Sequence, residues 1–174
     1  VALLVGGVAF MLTHEKPAKE KATPALAADV KIGVLLGFTG PIESLTPDMA
    51  SGAELAMKEA SDSGAFMNGS KIISVRGDST CVDAAAATAT AERLITSDGV
   101  SAIMGADCSG VTTAVLQNVA LAKGVVMISP SATSPALSTI EDNGLFFRTS
   151  PSDARQGQVL AEILREKGVK SAAI

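Results

Sequence analysis

Residues 30–36, Val-Lys-Ile-Gly-Val-Leu-Leu, run directly into Gly37-Phe38-Thr39-Gly40-Pro41, and their reading decides the fold. A near-continuous apolar run of seven, with a single charge at Lys31, is what a parallel strand covered by helices on both faces requires. The glycines and Pro41 open a loop that reaches Pro47. From Asp48 to Asp62 the period changes. Met49, Ala53, Ala56, Met57 and Ala60 share one stripe, Glu54, Lys58 and Glu59 fall off it, and Gly64 follows as a stop, which predicts a helix.

The same alternation continues outward. Lys71–Asp78 (KIISVRGD) reads as a second strand, Asp83–Thr96 as a helix, Ser101–Ala106 as a third strand, Thr112–Lys123 with Gly124 behind it as a helix, and Val125–Ser129 as a fourth strand. After Pro130 the segment SATSPALSTIEDNG has turn composition, LFFRT is a short strand-like run, and Asp153 is read as the cap of a helix over Ala154–Lys167 that stops at Gly168. Ser171–Ile174 (SAAI) reads as the opening of another strand. Successive strand starts leave room for the crossovers that parallel pairing needs. The expectation is an α/β fold with a Rossmann-like open, mostly parallel sheet.

Length and composition bound the rest. At 174 residues, 47% hydrophobic and 18% charged, the chain has the size of one domain and a fraction, and it can bury a core. Its formal charge of −4, the absence of Trp and Tyr, and only five Phe leave no footprint for nucleic acid or anionic lipid. Residues 1–12 (VALLVGGVAFML) are an apolar run too short to span a bilayer but of signal-sequence length. Residues 13–29 are charged and rich in Pro and Ala, a flexible tether. Ala25-Leu26-Ala27 fits a small-x-small cleavage pattern, and an uncleaved amino-terminal anchor stays open as the one membrane contact. Export to the periplasm or another extracytoplasmic space is expected.

Most chemistries drop out. His14, the single histidine, lies in the tether, so a Ser–His or Cys–His nucleophile is unsupported. The loop after the first strand lacks G-x-G-x-x-G, and no phosphate-loop or zinc-protease motif occurs, so no cofactor and no metal are expected. Asp78 and Asp107, both at strand ends, are read as turn and cap formers rather than as an acid pair or a magnesium site. Ser109, Ser131 and Thr133 sit on loops at the carboxyl ends of strands, where open α/β sheets bind small solutes. They are either ligand groups or simple caps. Cys81 and Cys108 fall at one edge of the expected sheet, and in an exported chain they read as a disulfide in preference to two buried thiols.

Together, VKIGVLLGFTGP, KIISVRGDSTC, AERLITSDGVSAIMGADCSG, AKGVVMISPSATSPALS and FFRTSPSDARQG resemble the branched-chain amino-acid (Leu/Ile/Val) binding proteins, the type I periplasmic solute receptors of ABC importers. The likeness runs from Val30 to Ile174. It implies two Rossmann-like lobes that trap an amino acid or related small carboxylate between them and pass it to ABC permease subunits, without catalysis. Residues 30–148 would be lobe one and 149–174 the crossover and truncated start of lobe two, and the clamping residues of lobe two would lie beyond the chain. By position, Ser109 matches the serine that holds the ligand's α-amino and α-carboxylate groups. Ser131, Ala132 and Thr133 match the stretch that supplies a main-chain contact and a hydroxyl, and Cys81 and Cys108 match the lobe-one disulfide. Around Leu45 the run ESLTP replaces an aromatic that often lines the pocket, so leucine itself is not implied. A sensor on the same fold, an amide-binding regulator or receptor ectodomain, is the alternative.

Overall fold

The computed structural model describes residues 28–173, so the expectations for the apolar run, most of the tether and Ile174 lie outside the described residues. Five strands form one sheet in the order β2-β1-β3-β4-β5: β1 (Val30–Leu36), β2 (Ile72–Asp78), β3 (Ala102–Gly105), β4 (Val126–Ser129) and β5 (Phe146–Arg148). Every pairing is parallel, with Ile32 opposite both Ser74 and Ala102, and Met127 opposite Phe146. The strands are short and apolar because both faces of the sheet receive helices.

Alternation along the strands sends side chains to two different layers. On one face Leu35, Ile103 and Met127 pack with Ala91 and Leu94 of α2 (Ala84–Thr96) and with Val111 and Val115 of α3 (Ser109–Val115). α3 continues through a π-helical turn, Leu116–Ala120, into the last turn α4 (Leu121–Lys123), which Gly124 ends in the left-handed conformation. On the other face Val34 and Leu36 meet Ala50 of α1 (Thr46–Asp62), with Phe38, Met49, Met57 and Met104 half-buried around them. Beside α1 a shallow apolar groove of about 300 Å³ lies over Ile32, Met104 and Ile128.

Glycine is required at Gly105. Its φ is +136°, and a Cβ there would stand 2.1 Å from the carbonyl oxygen of Leu35. The end of β3 thus comes closer to β1 than any side chain permits.

Several helix starts differ from the sequence expectation. α1 begins at Thr46, because Pro47 suits a first turn. Asp83, expected as the first residue of its helix, instead caps α2, which starts at Ala84, and accepts from the amides of Ala85 and Ala86. α3 starts at Ser109 rather than Thr112, directly after the extended Cys108. The cap of α5 (Asp153–Glu166) is Ser152, whose Oγ accepts from the Ala154 amide, and Asp153 is instead the first helical residue. Ser171–Ala173 form no strand, since a strand exists only by pairing and these residues join no ladder.

Candidate functional site at the carboxyl ends of the strands

The chain leaves β1 for β2 through α1 on one face and reaches β3 through α2 on the opposite face. The seam between β1 and β3 is therefore the switch point of the sheet, the place where open α/β sheets bind their ligands. Asp107 stands at the head of that seam, 2% exposed. Its carboxylate accepts from the Gly37 amide (2.6 Å), from Ser79 Oγ (3.0 Å) and from the Cys108 amide (2.9 Å). Its main-chain oxygen accepts from Ser131 Oγ at 3.0 Å. One buried aspartate thus joins the loops that follow β1, β2, β3 and β4, and its charge is matched by donors on every side. The disulfide Cys81–Cys108 ties the β2 loop to the start of α3 at the same place, as expected from the sequence.

Of the expected loop residues, Ser109 and Thr133 are bonded to each other directly. Ser109 Oγ accepts from the amides of Thr133 (3.2 Å) and Ser134 (3.1 Å). Ser131 is exposed and bonded to Asp107 as described, while Ala132 is buried, with its amide on Ser129 Oγ at 2.9 Å. Thr133 Oγ1 donates to Asp153 Oδ2 at 3.0 Å, and the Asp153 amide returns a bond to the Thr133 carbonyl at 3.0 Å. Leu45 lies on the β1 loop at the start of α1, 60% exposed, and its amide bonds within its own loop to the Ile42 carbonyl.

Residues that the sequence reading passed over complete the frame. Arg148 at the end of β5 donates Nη1 to the carbonyls of Ala132 (3.2 Å) and Ser134 (2.9 Å), and Ser150 Oγ donates to the Ala132 carbonyl at 3.2 Å. The 131–134 loop is therefore fixed from α3 on one side and from the segment after β5 on the other. The only advance signal was an arginine inside an otherwise apolar run.

Asp78 serves the neighbouring β1 loop, accepting from Thr39 Oγ1 (2.6 Å), the Thr39 amide (3.3 Å) and the Thr80 amide (2.8 Å). Burial pushes its carboxyl up, but these hydrogen bonds outweigh it and hold the group below the usual aspartate range. Asp78 forms its turn through the Thr80 amide as expected, whereas Asp107 is not a turn or cap former but bonds across loops to Gly37 and Ser79. Among the described residues no cluster of three or more His, Cys, Asp or Glu side chains is arranged for a metal ion. What the edge offers is hydroxyls and main-chain groups, which suit a small polar solute.

A family profile described as periplasmic binding protein matches residues 29–174. The Leu/Ile/Val/Thr-binding protein of Salmonella typhimurium is 31% identical over 165 residues, covering 95% of this chain and 41% of that protein. The Leu/Ile/Val-binding protein of Escherichia coli K12 is 31% identical over 166 residues, covering 95% and 41%. Among solved structures, the branched-chain amino acid transporter substrate binding protein LivJ of Streptococcus pneumoniae, in complex with isoleucine, superposes with a TM-score of 0.72 at 31% identity, over 80% of this chain and 38% of that one. A Rhodopseudomonas palustris solute binding protein in complex with 4-hydroxybenzoate, with a TM-score of 0.69 at 21% identity over 82% and 37%, shares the fold. The chain spans about two fifths of the length of these curated relatives.

Proposed function

Because this chain belongs to the periplasmic binding protein family, we propose that it contributes one wall of an extracytoplasmic receptor for an amino acid or a related small carboxylate. The observation that carries this reading is the assembly of Ser109, Ser131, Ala132 and Thr133 into one hydrogen-bonded frame at the switch point of the sheet. Residues 30–148 form lobe one in this reading, and 149–174 are the crossover and the first helix of lobe two. The solute is held between lobes and delivered to the permease subunits of an ABC importer, in keeping with the relatives' description as transporter substrate binding proteins. The branched-chain relatives favour an aliphatic amino acid, and this reading assigns Leu45, exposed on the β1 loop, to its apolar end.

Calorimetry of the two-lobed protein against a panel of amino acids and carboxylates tests this. Each hydrogen bond lost to a charged ligand group costs about 1.5–3 kcal/mol. The double substitution Ser109→Ala with Thr133→Ala then weakens binding about 100-fold or more while the protein stays folded. Unchanged affinity in a folded double variant places the ligand elsewhere.

Closure around the solute also predicts that the 174-residue chain alone binds about 100-fold more weakly than the two-lobed protein, because the opposing wall and its exclusion of water are missing. Equal affinity in the two removes the two-lobe reading.

A further inference from the structure

Thr80 and Cys81 are consecutive residues with side chains, and both stand in the left-handed region, at φ +58° and +70°. A Cβ crowds the following carbonyl there, so the pair keeps this conformation only while its surroundings hold it. The bridge to Cys108 holds Cys81, and the bond from the Thr80 amide to Asp78 Oδ1 (2.8 Å) holds Thr80. On either side the chain is pinned. Ser79 Oγ is bonded to Asp107 at 3.0 Å, and Asp83 caps α2, which leaves residues 80–82 as a short span between two fixed points.

The β1 loop rests on this span. A Cβ at Gly37 would stand 3.2 Å from Cys81 Cβ, and one at Gly40 only 2.6 Å from the Thr80 carbonyl oxygen. Any movement of residues 80–82 is therefore felt at residues 37–40, beside the switch point of the sheet. Both cysteines are half-buried, so a reductant can reach the bridge.

We propose that the Cys81–Cys108 bridge is a redox latch. Oxidised, it keeps the β1 and β2 loops in the arrangement that receives the solute; reduced, it lets residues 80–82 relax and weakens binding while the fold stays intact. The step needs a dithiol reductant. One of its thiolates attacks a sulfur of the bridge, the S–S bond breaks, and the departing cysteine takes up a proton. The second thiol then displaces the other cysteine, and the reductant leaves as a disulfide, having given two electrons and two protons. This regulation rests on the receptor reading above and concerns the same site.

Calorimetry on the two-lobed protein tests it, with the standard amino acids and 4-hydroxybenzoate as probes, before and after reduction with dithiothreitol. The tightest probe is expected to bind the reduced protein about 10-fold more weakly, and Cys81→Ala with Cys108→Ala matches the reduced form. By linkage the same factor works in reverse. Saturating that probe makes the bridge harder to reduce by the equivalent of tenfold, about 30 mV in a redox titration against dithiothreitol. Hydrogen exchange quickens at the Thr80 and Asp83 amides, which bond to Asp78 and to Thr80 Oγ1, while circular dichroism keeps its helical signal.

Equal affinity in the oxidised and reduced proteins overturns the latch, and so does unchanged exchange at Thr80 and Asp83. Loss of the helical signal on reduction also overturns it, since the bridge is then a staple for the whole fold. Failure of the receptor reading looks different: the oxidised protein binds none of the probes, and the regulation built on that reading falls with it.

Discussion

The two faces of the sheet are held in different ways. On the α2–α3 face, side chains such as Leu94, Val115 and Leu116 are wholly buried against Leu35, Ile103 and Met127. On the α1 face the apolar layer is thin, and Ile128 is 44% exposed. There the helix is anchored through polar bonds. Glu54 accepts from Arg76 Nε and Nη2, both at 2.7 Å, and from Ser74 Oγ at 3.0 Å, while Arg76 lies over the Phe38 ring. Ser61 Oγ accepts from the Ile72 amide at 2.9 Å. One face therefore depends on burial, which pH hardly touches, and the other on charges and hydrogen bonds, which pH and salt do touch.

The largest expected effect is at the seam between the faces. Asp107→Ala leaves the Gly37 amide and Ser79 hydroxyl without their partner in a buried place, at a cost of about 4 kcal/mol. Urea unfolding measures it, and a loss below about 1 kcal/mol means that the loops hold without the hub.

Next is the disulfide. It closes a sequence separation of 27, worth about 3–4 kcal/mol by chain entropy, so Cys81→Ala with Cys108→Ala should lower the unfolding free energy extrapolated from urea by that amount. Mass analysis without reductant checks the bond itself, and two free thiols in oxidised protein contradict the structure.

A matched pair then tests the faces directly. Leu116→Ala is expected to cost about 3 kcal/mol and Ile128→Ala less than about 1 kcal/mol. Equal losses would mean that the α1 face is as well packed as the other.

The smallest effect is electrostatic. The Arg76 guanidinium holds the Glu54 carboxyl below its usual range, against a smaller opposing push from burial. The unfolded chain then binds the proton more tightly, so this pair stabilises the fold at neutral pH, and the contribution is lost as pH falls through the lowered Glu54 value. Because both side chains are partly solvated, the size is below about 1 kcal/mol. Glu54→Gln should flatten the dependence of melting temperature on pH in the acid range, whereas Leu116→Ala should lower the whole curve without changing its shape. An unchanged acid limb in Glu54→Gln would show that the α1 face is not held by this pair.

These contrasts also mark what sequence can and cannot convey. The strands were legible because a parallel sheet with helices on both sides demands continuous apolar runs, and Val30–Leu36 matches its expected span to the residue. Helix starts were less legible, since a serine and an aspartate side by side at 152–153 both suit a cap and only backbone geometry assigns it to Ser152. The positions of Ser109 and Thr133 on strand-end loops could be read, and so could the expected cysteine pair. That the Ser109 hydroxyl binds two amides 24 and 25 residues ahead of it could not, because no local pattern encodes such a meeting. Arg148 was missed for the same reason: a single cation in a short strand reads as solvated until the carbonyls of Ala132 and Ser134 are seen around it.

Asp107 also sets an order of assembly. Its two side-chain partners from other loops, Gly37 and Ser79, precede it in the chain, and the Ser131 hydroxyl on its carbonyl comes after. As the polypeptide is made, the β1 and β2 loops stay unpinned until residue 107 has passed. The β4 loop joins only after two dozen more residues. The strand-end loops are thus joined from the older ones to the newer, and a ribosome pausing before residue 107 holds a strand pair whose amide and hydroxyl still face water.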